Sequence, residues 1–149
     1  MKKRVVSIMM FLIICVSNTY AVTQQNRWLT FTQAIEKAQT VDNDKPVMLV
    51  VYLDSCPVCR SWFSAVNQSQ EFFKAINNFV IPAKIEERAF LTLFGSKFVI
   101  KTVPAFFFFT KDGLLLTRFE GAPNNPDEFL KFLYKIKNYK ELLKHSVKK

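Results

Sequence analysis

The stretch Tyr52-Leu-Asp-Ser-Cys-Pro-Val-Cys-Arg-Ser-Trp62 holds two of the three cysteines of this 149-residue chain. A proline stands directly after the first of them, and the first position of a helix suits proline because the missing N–H has no helical partner there. Apolar side chains then recur at i, i+3, i+4 and i+7, a spacing typical of one helix face: Cys59, Trp62, Phe63 and Val66. The spacing therefore predicts a helix that begins at Pro57, with Cys56 as its N-cap.

The residues before this motif indicate a buried strand. Val47 to Leu53 is a continuous apolar run rich in β-branched residues, as expected for a strand that is covered on both faces of a parallel sheet. Upstream of it, Thr30-Phe-Thr-Gln33 has the pattern of a capping box and predicts a helix over residues 31–41. The two cysteines are thus expected where a central strand turns into a helix.

The rest of the chain continues this alternation of elements. Pro82 lies inside an apolar run and favours an edge strand or a bulge, because proline cannot donate to a central ladder. The predicted elements are a helical segment over 69–76, a strand over 79–85, a helix over 87–98, strands Ala105–Phe109 and Leu114–Phe119 joined by a turn at Lys111-Asp-Gly113, and a final helix opened by Asn125-Pro-Asp-Glu128. The fold class is therefore α/β: a mixed sheet with a parallel core and a C-terminal antiparallel hairpin, flanked by helices.

The first 21 residues are typical of a signal peptide. Three basic residues precede an apolar run over Val5–Val16, and Thr19-Tyr-Ala21 has the small-x-small pattern of a cleavage site. We predict a signal peptide over 1–21 and one domain over 22–149, in a protein exported to the periplasm or another extracytoplasmic compartment. Two alternatives stay open: an uncleaved anchor, although the run is shorter than the ~20 residues of a membrane span, and lipid attachment at Cys15.

The predicted helix gives the two cysteines different chemistry. Cys56 faces the unpaired N–H groups and the positive end of the helix dipole, which favour a thiolate. Cys59 lies one turn further, beside Trp62 and Phe63, and is expected to be shielded and less acidic. This asymmetry suits a redox dithiol in which Cys56 attacks and Cys59 resolves the mixed disulfide.

Other uses of the pair fit the sequence less well. A structural metal site needs about four ligands, and apart from these thiols the predicted domain has one histidine, His145, so no metal is expected. A disulfide across so short a loop removes little entropy from the unfolded chain, which disfavours a structural staple. The net charge of +9 comes from scattered lysines and arginines without the interleaved exposed aromatics of a nucleic-acid module, so no nucleic-acid partner is expected.

From Trp28 to about Leu143 the chain resembles the thioredoxin superfamily, and within it the exported thioredoxin-like proteins related to the C-terminal domain of the disulfide reductase DsbD. The features that carry the resemblance are Trp28 before a helix, Lys45-Pro-Val47, Cys56-Pro-Val-Cys59, Ala83-Lys-Ile85, Phe98-Val-Ile-Lys-Thr-Val-Pro104, Asp112-Gly113 and Gly121. The resemblance implies a thioredoxin-like fold and a thiol-disulfide oxidoreductase. It also implies no bound cofactor beyond a redox-active Cys56–Cys59 disulfide.

The resemblance further implies the surroundings of the dithiol. Pro104 would be a cis-proline beside it, and the backbone of Val103 would pair with a bound substrate peptide in a groove shared with Pro57 and Val58. Lys84 matches a family lysine beneath the active site that would modulate thiol ionisation. The implied partners are protein thiols and disulfides together with an unidentified redox partner, and a membrane only if the leader stays uncleaved.

Three positions depart from the family patterns. Ser55 stands where thioredoxins carry tryptophan, Val50 where they carry a buried aspartate that assists proton transfer to the second thiol, and Val58 where strong oxidases carry histidine. The direction of electron flow therefore stays open. Two other functions also stay open: a non-catalytic thioredoxin-fold module that binds folding proteins, and a Cu(I)-handling protein, since a soft dithiol suits Cu(I).

Overall fold

The computed structural model describes residues 27–40 and 44–139. The predicted signal peptide over 1–21, Cys15 and His145 lie outside these ranges, as do both ends of the domain predicted over 22–149. Within the described ranges, none of the helices has the length and apolarity that a membrane span needs.

The described elements follow the predicted order. They are α1 (Phe31–Thr40), β1 (Val47–Tyr52), α2 (Pro57–Gln68), α3 (Gln70–Phe79), β2 (Ile81–Glu86), α4 (Glu87–Phe94), a short 3₁₀ helix (Gly95–Lys97), β3 (Ala105–Phe109), β4 (Leu115–Glu120) and α5 (Pro126–Lys137). The strands form a four-stranded sheet in the order β2-β1-β3-β4. The mixed α/β class predicted from the sequence is confirmed.

The sheet is less parallel than the sequence suggested. In the described strands, β1 and β2 pair in parallel, whereas β3 runs antiparallel to both β1 and β4. The C-terminal hairpin is thus present, but the expected parallel core is limited to one pair. The reason lies in the connection from β2 to β3: α4 leads away from the C-terminal end of β2, and the residues after Gly95 return to that end, where Ala105 pairs with Val51.

Two helix layers explain the apolar runs of the central strands. Met48, Val50, Phe106 and Phe108 point into one cluster, which also contains residues of α2, α3 and α5. Their neighbours along the strands point into the opposite cluster, beside α1 and α4. Because β1 and β3 are covered on both faces, their sequences show no polar alternation.

Pro82 lies on an edge strand, as predicted. The N–H groups of Ile81 and Lys84 point in opposite directions: Ile81 donates to Pro46 O at 2.9 Å, toward β1, and Lys84 donates to Leu29 O at 3.0 Å, on the outer edge. Residues alternate along a strand, so the nitrogen of Pro82 also faces the outer edge. The missing N–H of Pro82 therefore removes no hydrogen bond between β2 and β1.

Several predicted boundaries shift by a few residues. The strand predicted from residue 79 begins at Ile81, because Phe79 completes α3 and packs edge-on against Tyr134 of α5, with 6.1 Å between ring centroids. The helix predicted to residue 98 ends at Phe94. Gly95 follows with φ +57° and ψ −139°, a non-helical backbone conformation that glycine adopts more readily than other residues.

Candidate active site

The cysteine motif begins α2 as the sequence predicted. Cys56 has an extended backbone (φ −75°, ψ 113°), and its sulfur accepts the N–H of Cys59 at 3.1 Å. Pro57 occupies the first turn, and Arg60 N donates to Cys56 O at 3.1 Å. Cys56 is therefore the N-cap of α2, with its sulfur against the N–H groups that a helix start leaves unpaired.

A tight turn carries the chain from the central strand into this helix. Cys56 N donates to Leu53 O at 3.1 Å, which closes the turn directly after β1. The Arg60 guanidinium donates to the backbone carbonyl of Asp54 at 2.8 Å and so ties the turn to the first turn of α2. The position of Cys56 is thereby fixed from both sides.

The two thiols, both free, lie in different environments. Cys56 is half-buried, whereas Cys59 is 1% exposed. Burial, followed by the hydrogen bond to Cys56, raises the pKa of Cys59 from its ordinary value of 9.0 to about 11. Cys59 is therefore a neutral thiol at neutral pH, which agrees with the shielded, less acidic role expected from the sequence.

The loop before β3 reaches the first thiol. The sulfur of Cys56 lies 3.7 Å from the carbonyl oxygen of Val103, and the peptide bond between Val103 and Pro104 is cis. On the other side of this peptide, Gly121 N donates to Pro104 O at 2.8 Å. Val103 and Pro104 thus lie beside the dithiol, where the family resemblance placed them.

An apolar groove of about 520 Å³ begins next to Cys56 and runs between α2 and the loop that joins β4 to α5. Pro57 and Val58 form its near end, and Val58 is 52% exposed. None of the residues recorded along this groove is charged. The groove therefore offers an apolar surface that starts at the two residues directly after Cys56.

A second cleft, of about 340 Å³, lies along the other flank of α2 and borders Cys59. Its lining is mixed: apolar side chains such as Leu53 and Phe63 lie beside three charged residues, Asp54, Arg60 and Lys84. The Lys84 ammonium lies 5.5 Å from the centre of the Tyr52 ring. Burial, followed by the charges of Asp54 and Glu86, raises the pKa of Tyr52, so its hydroxyl stays protonated at neutral pH.

The structure thus divides the site residues predicted from the sequence into two groups. Around Cys56 lie Val103, whose carbonyl oxygen is 3.7 Å from the sulfur, and its neighbour Pro104, while Pro57 and Val58 follow Cys56 and line the apolar groove. Lys84 is on the opposite flank of α2, where it shares the second cleft with Cys59. Val50 is fully buried in the apolar cluster beneath α2, so the family's carboxylate position is occupied here by a core side chain.

Two residues of β4 that the sequence analysis did not single out contact the loop before Pro104. Glu120 accepts hydrogen bonds from the N–H groups of Lys101 and Thr102, and Arg118 donates to the carbonyl of Val99 at 2.8 Å. Their spacing of two places both on one face of the strand. That spacing is their one sequence signal, since their partners are backbone groups.

Trp28 supports α2 from below. Its ring packs against Trp62 and Phe63, with centroid distances of 5.7 and 5.1 Å, and its indole N–H donates to the Asn67 side-chain oxygen at 3.1 Å. Trp28 is one of the residues that carry the family resemblance. In the structure it packs against α2, the helix that carries both cysteines, and stabilises its position.

A dithiol at the start of a helix, after a central strand and against a proline-containing loop, defines a protein with the fold of thioredoxin-like disulfide oxidoreductases. The chain belongs to the thioredoxin-like domain family, whose model matches residues 31–137. This assignment confirms the fold and the family that the sequence indicated.

Individual proteins that are similar to this chain also include thioredoxins and a thioredoxin-fold domain. The chain is 35% identical over 81 residues to thioredoxin Y2, chloroplastic, of Arabidopsis thaliana; the match covers 54% of this chain and 46% of that protein, so the chain spans about half the length of this curated relative. A Thermus thermophilus thioredoxin superposes with TM-score 0.59 at 23% identity, covering 74% of this chain and 85% of that one. The reduced C-terminal domain of Neisseria meningitidis DsbD superposes with TM-score 0.54 at 20% identity, covering 70% and 91%. At these identities the two structures show a shared fold.

Proposed function

We propose that this chain is an exported thiol-disulfide oxidoreductase that exchanges electrons with protein disulfides through Cys56 and Cys59. The observation that carries the proposal is the asymmetry of the two thiols. Cys56 is accessible at a helix N-terminus, while Cys59 is buried one turn away with a raised pKa. An attacking thiol needs the first environment and a resolving thiol tolerates the second.

The reaction needs no bound cofactor, because the dithiol itself carries two electrons. In the reducing direction, the Cys56 thiolate attacks one sulfur of a substrate disulfide, the S–S bond breaks, and the leaving thiolate takes up a proton. Cys59 then loses its proton and attacks the Cys56 sulfur, which releases the second substrate thiolate. The products are a Cys56–Cys59 disulfide and a reduced substrate, and the reverse sequence oxidises a substrate dithiol.

The substrate class follows from the surface around Cys56. The Val103 backbone offers hydrogen-bonding groups to an extended peptide beside the thiol, and the groove that starts at Pro57 and Val58 is apolar. These features support polypeptide substrates with apolar side chains near the reacting cysteine. A second, unidentified redox partner is needed to return the dithiol to its starting state.

We also propose a role for Lys84 in the resolving step. Val50 cannot accept a proton from Cys59, so that proton has to leave by another route. The cleft bordering Cys59 is open and has charged residues in its lining, and the ammonium group of Lys84 favours negative charge within it. Lys84 is therefore proposed to stabilise the transient Cys59 thiolate.

The decisive experiment traps the mixed disulfide. When Cys59→Ser is incubated with a peptide containing a disulfide, Cys56 attacks but nothing resolves the product, so a covalent adduct at Cys56 accumulates and is detected by mass spectrometry. Cys56→Ser is the matched control and forms no adduct. Adducts on Cys59 in the control would reverse the two roles, and turnover by Cys56→Ser would refute the proposed function.

A further inference from the structure

The loop over residues 98–104, which leads to the dithiol, is held by side chains of the neighbouring strand. One oxygen of the Glu120 carboxylate, Oε2, accepts the N–H of Lys101 at 3.0 Å and the N–H of Thr102 at 2.9 Å. Hydrogen bonds to a carboxylate are stronger than those between neutral groups. A single charged side chain at the end of β4 therefore fixes two successive amides of this loop.

These amides lie immediately before the residue that faces the thiol. Thr102 precedes Val103, whose carbonyl is 3.7 Å from the Cys56 sulfur. Directly after Glu120, Gly121 N donates to Pro104 O at 2.8 Å. The end of β4 thus holds the loop on both sides of Val103, with its glutamate before that residue and its main chain after it.

Apolar packing alone does not supply this orientation. Three side chains of the loop pack against the core cluster beside α1 and α4: Phe98, Ile100 and Val103. These contacts hold the loop against the core. Apolar contacts are non-directional, so they leave the rotation of the Val103 peptide unspecified. Hydrogen bonds are directional, and the one directly before Val103 runs from the Thr102 N–H to the Glu120 carboxylate. Arg118 donates a hydrogen bond to the carbonyl of Val99, earlier in the loop.

We propose that Glu120 is a positioning residue of the dithiol site. Its carboxylate holds the backbone at Lys101 and Thr102 so that Val103 presents its main chain to a polypeptide substrate beside Cys56. Glu120 acts through the loop and does not contact the reacting sulfurs. The consequence for substrates rests on the proposed function, whereas the hold on the loop is independent of it.

The first measurement tests the hold itself. Amide hydrogen exchange of Lys101 and Thr102 is followed by NMR in the wild type and in Glu120→Ala, Glu120→Gln and Glu36→Ala; the last is an exposed glutamate of α1 and serves as the control. We expect exchange at both amides to be about tenfold faster in Glu120→Ala, because two hydrogen bonds are lost. Glu120→Gln keeps a neutral acceptor and is expected to lie between the two, and Glu36→Ala matches the wild type.

The second measurement tests the consequence for catalysis. With a peptide disulfide as substrate, Glu120→Ala is expected to raise KM about tenfold, because a correctly held Val103 contributes hydrogen bonds in the bound complex. Turnover of hydroxyethyl disulfide, which has no peptide backbone, stays unchanged. Glu120→Gln recovers most of the loss. The pH profile of Cys56 alkylation by iodoacetamide is the same in all variants, since the effect is geometric and not one of charge.

The outcomes separate the two claims. Unchanged exchange at Lys101 and Thr102 in Glu120→Ala overturns the inference whatever the activity. Faster exchange with an unchanged KM for the peptide overturns the positioning role. A shifted alkylation profile, with Glu120→Gln behaving like Glu120→Ala, identifies an effect of charge and also overturns it. A wild-type chain that turns over neither disulfide refutes the proposed function and the role in substrate binding with it.

Discussion

At the scale of single residues, burial distinguishes two cysteines that are one helical turn apart. Cys56 accepts a backbone N–H and faces Val103, while Cys59 points into the protein at 1% exposure. Because both sulfurs belong to one helix, the direction in which the helix packs decides which thiol is accessible from outside. The i, i+3, i+4 pattern of apolar residues after Cys59 already indicated that direction in the sequence.

The pKa of Cys59 predicts a pH dependence of stability. Well below pH 9.0 the thiol is protonated in both the folded and the unfolded chain, so its contribution to stability is fully present. Between pH 9.0 and about 11 the unfolded chain ionises first, so stability from this group is lost as pH rises. Urea unfolding of the reduced protein across this range measures the loss.

The Cys59→Ser variant is the control for this prediction. It keeps the other groups that titrate in alkali but lacks the buried thiol. Its free energy of unfolding is therefore expected to fall less steeply than that of the reduced wild type between pH 9.0 and about 11. Equal slopes for the two proteins would contradict the raised pKa of Cys59.

At the scale of elements, the start of α2 depends on a sulfur cap. An N-cap acceptor satisfies an N–H of the first turn, and replacing a good cap by alanine costs about 1 kcal/mol. We expect Cys56→Ser to retain the cap, since serine is among the preferred N-cap residues, and Cys56→Ala to be less stable than Cys56→Ser by about 1 kcal/mol. Both variants lack the Cys56 thiol, so the comparison isolates the structural role of the side chain at this position.

The chain contains its own reference for this effect. Ser69 caps α3 by accepting the N–H of Phe72 at 3.1 Å, so Ser69→Ala shows what the loss of an ordinary cap costs in this fold. Urea denaturation under reducing conditions compares the variants. Equal stability of Cys56→Ser and Cys56→Ala, together with a clear loss in Ser69→Ala, would show that the Cys56 sulfur does not stabilise the helix.

The elements also show how far sequence reasoning reached. Local signals predicted the start of α2 at Pro57, the edge position of Pro82 and the final helix, where the Asn125 side chain accepts the N–H groups of Asp127 and Glu128. The direction of β3 was not predictable in this way, because it depends on where the residues after Gly95 return. Glu120 was missed for a related reason: it binds backbone amides 18 and 19 residues earlier, which carry no side-chain signal.

At the scale of the whole molecule, the sheet brings the parts of the site to one end. β1 ends at the turn that carries Cys56, and the antiparallel β3 begins opposite that end, where Ala105 pairs with Val51. β4 then runs back toward the same end, so Glu120 pairs with Ala105. The antiparallel placement of β3, which the sequence did not predict, therefore brings Val103 and Pro104 to the dithiol and brings Glu120 to the loop that precedes them.

At the same scale, the cellular compartment of the protein determines whether a Cys56–Cys59 disulfide would persist. Disulfides persist in oxidising compartments and are reduced in the cytosol. The basic n-region, the short apolar run and Thr19-Tyr-Ala21 predict cleavage after Ala21, so the mature chain is expected to begin near Val22 outside the cytoplasm. N-terminal sequencing of the protein from its native host, after separation of membrane and soluble fractions, measures this directly. The matched variant replaces Ala21 with a large residue. We expect it to block cleavage, because the cleavage site requires a small side chain at this position. An intact Met1 in the membrane fraction of the wild type would instead identify an uncleaved anchor, and the dithiol would then act at the membrane surface.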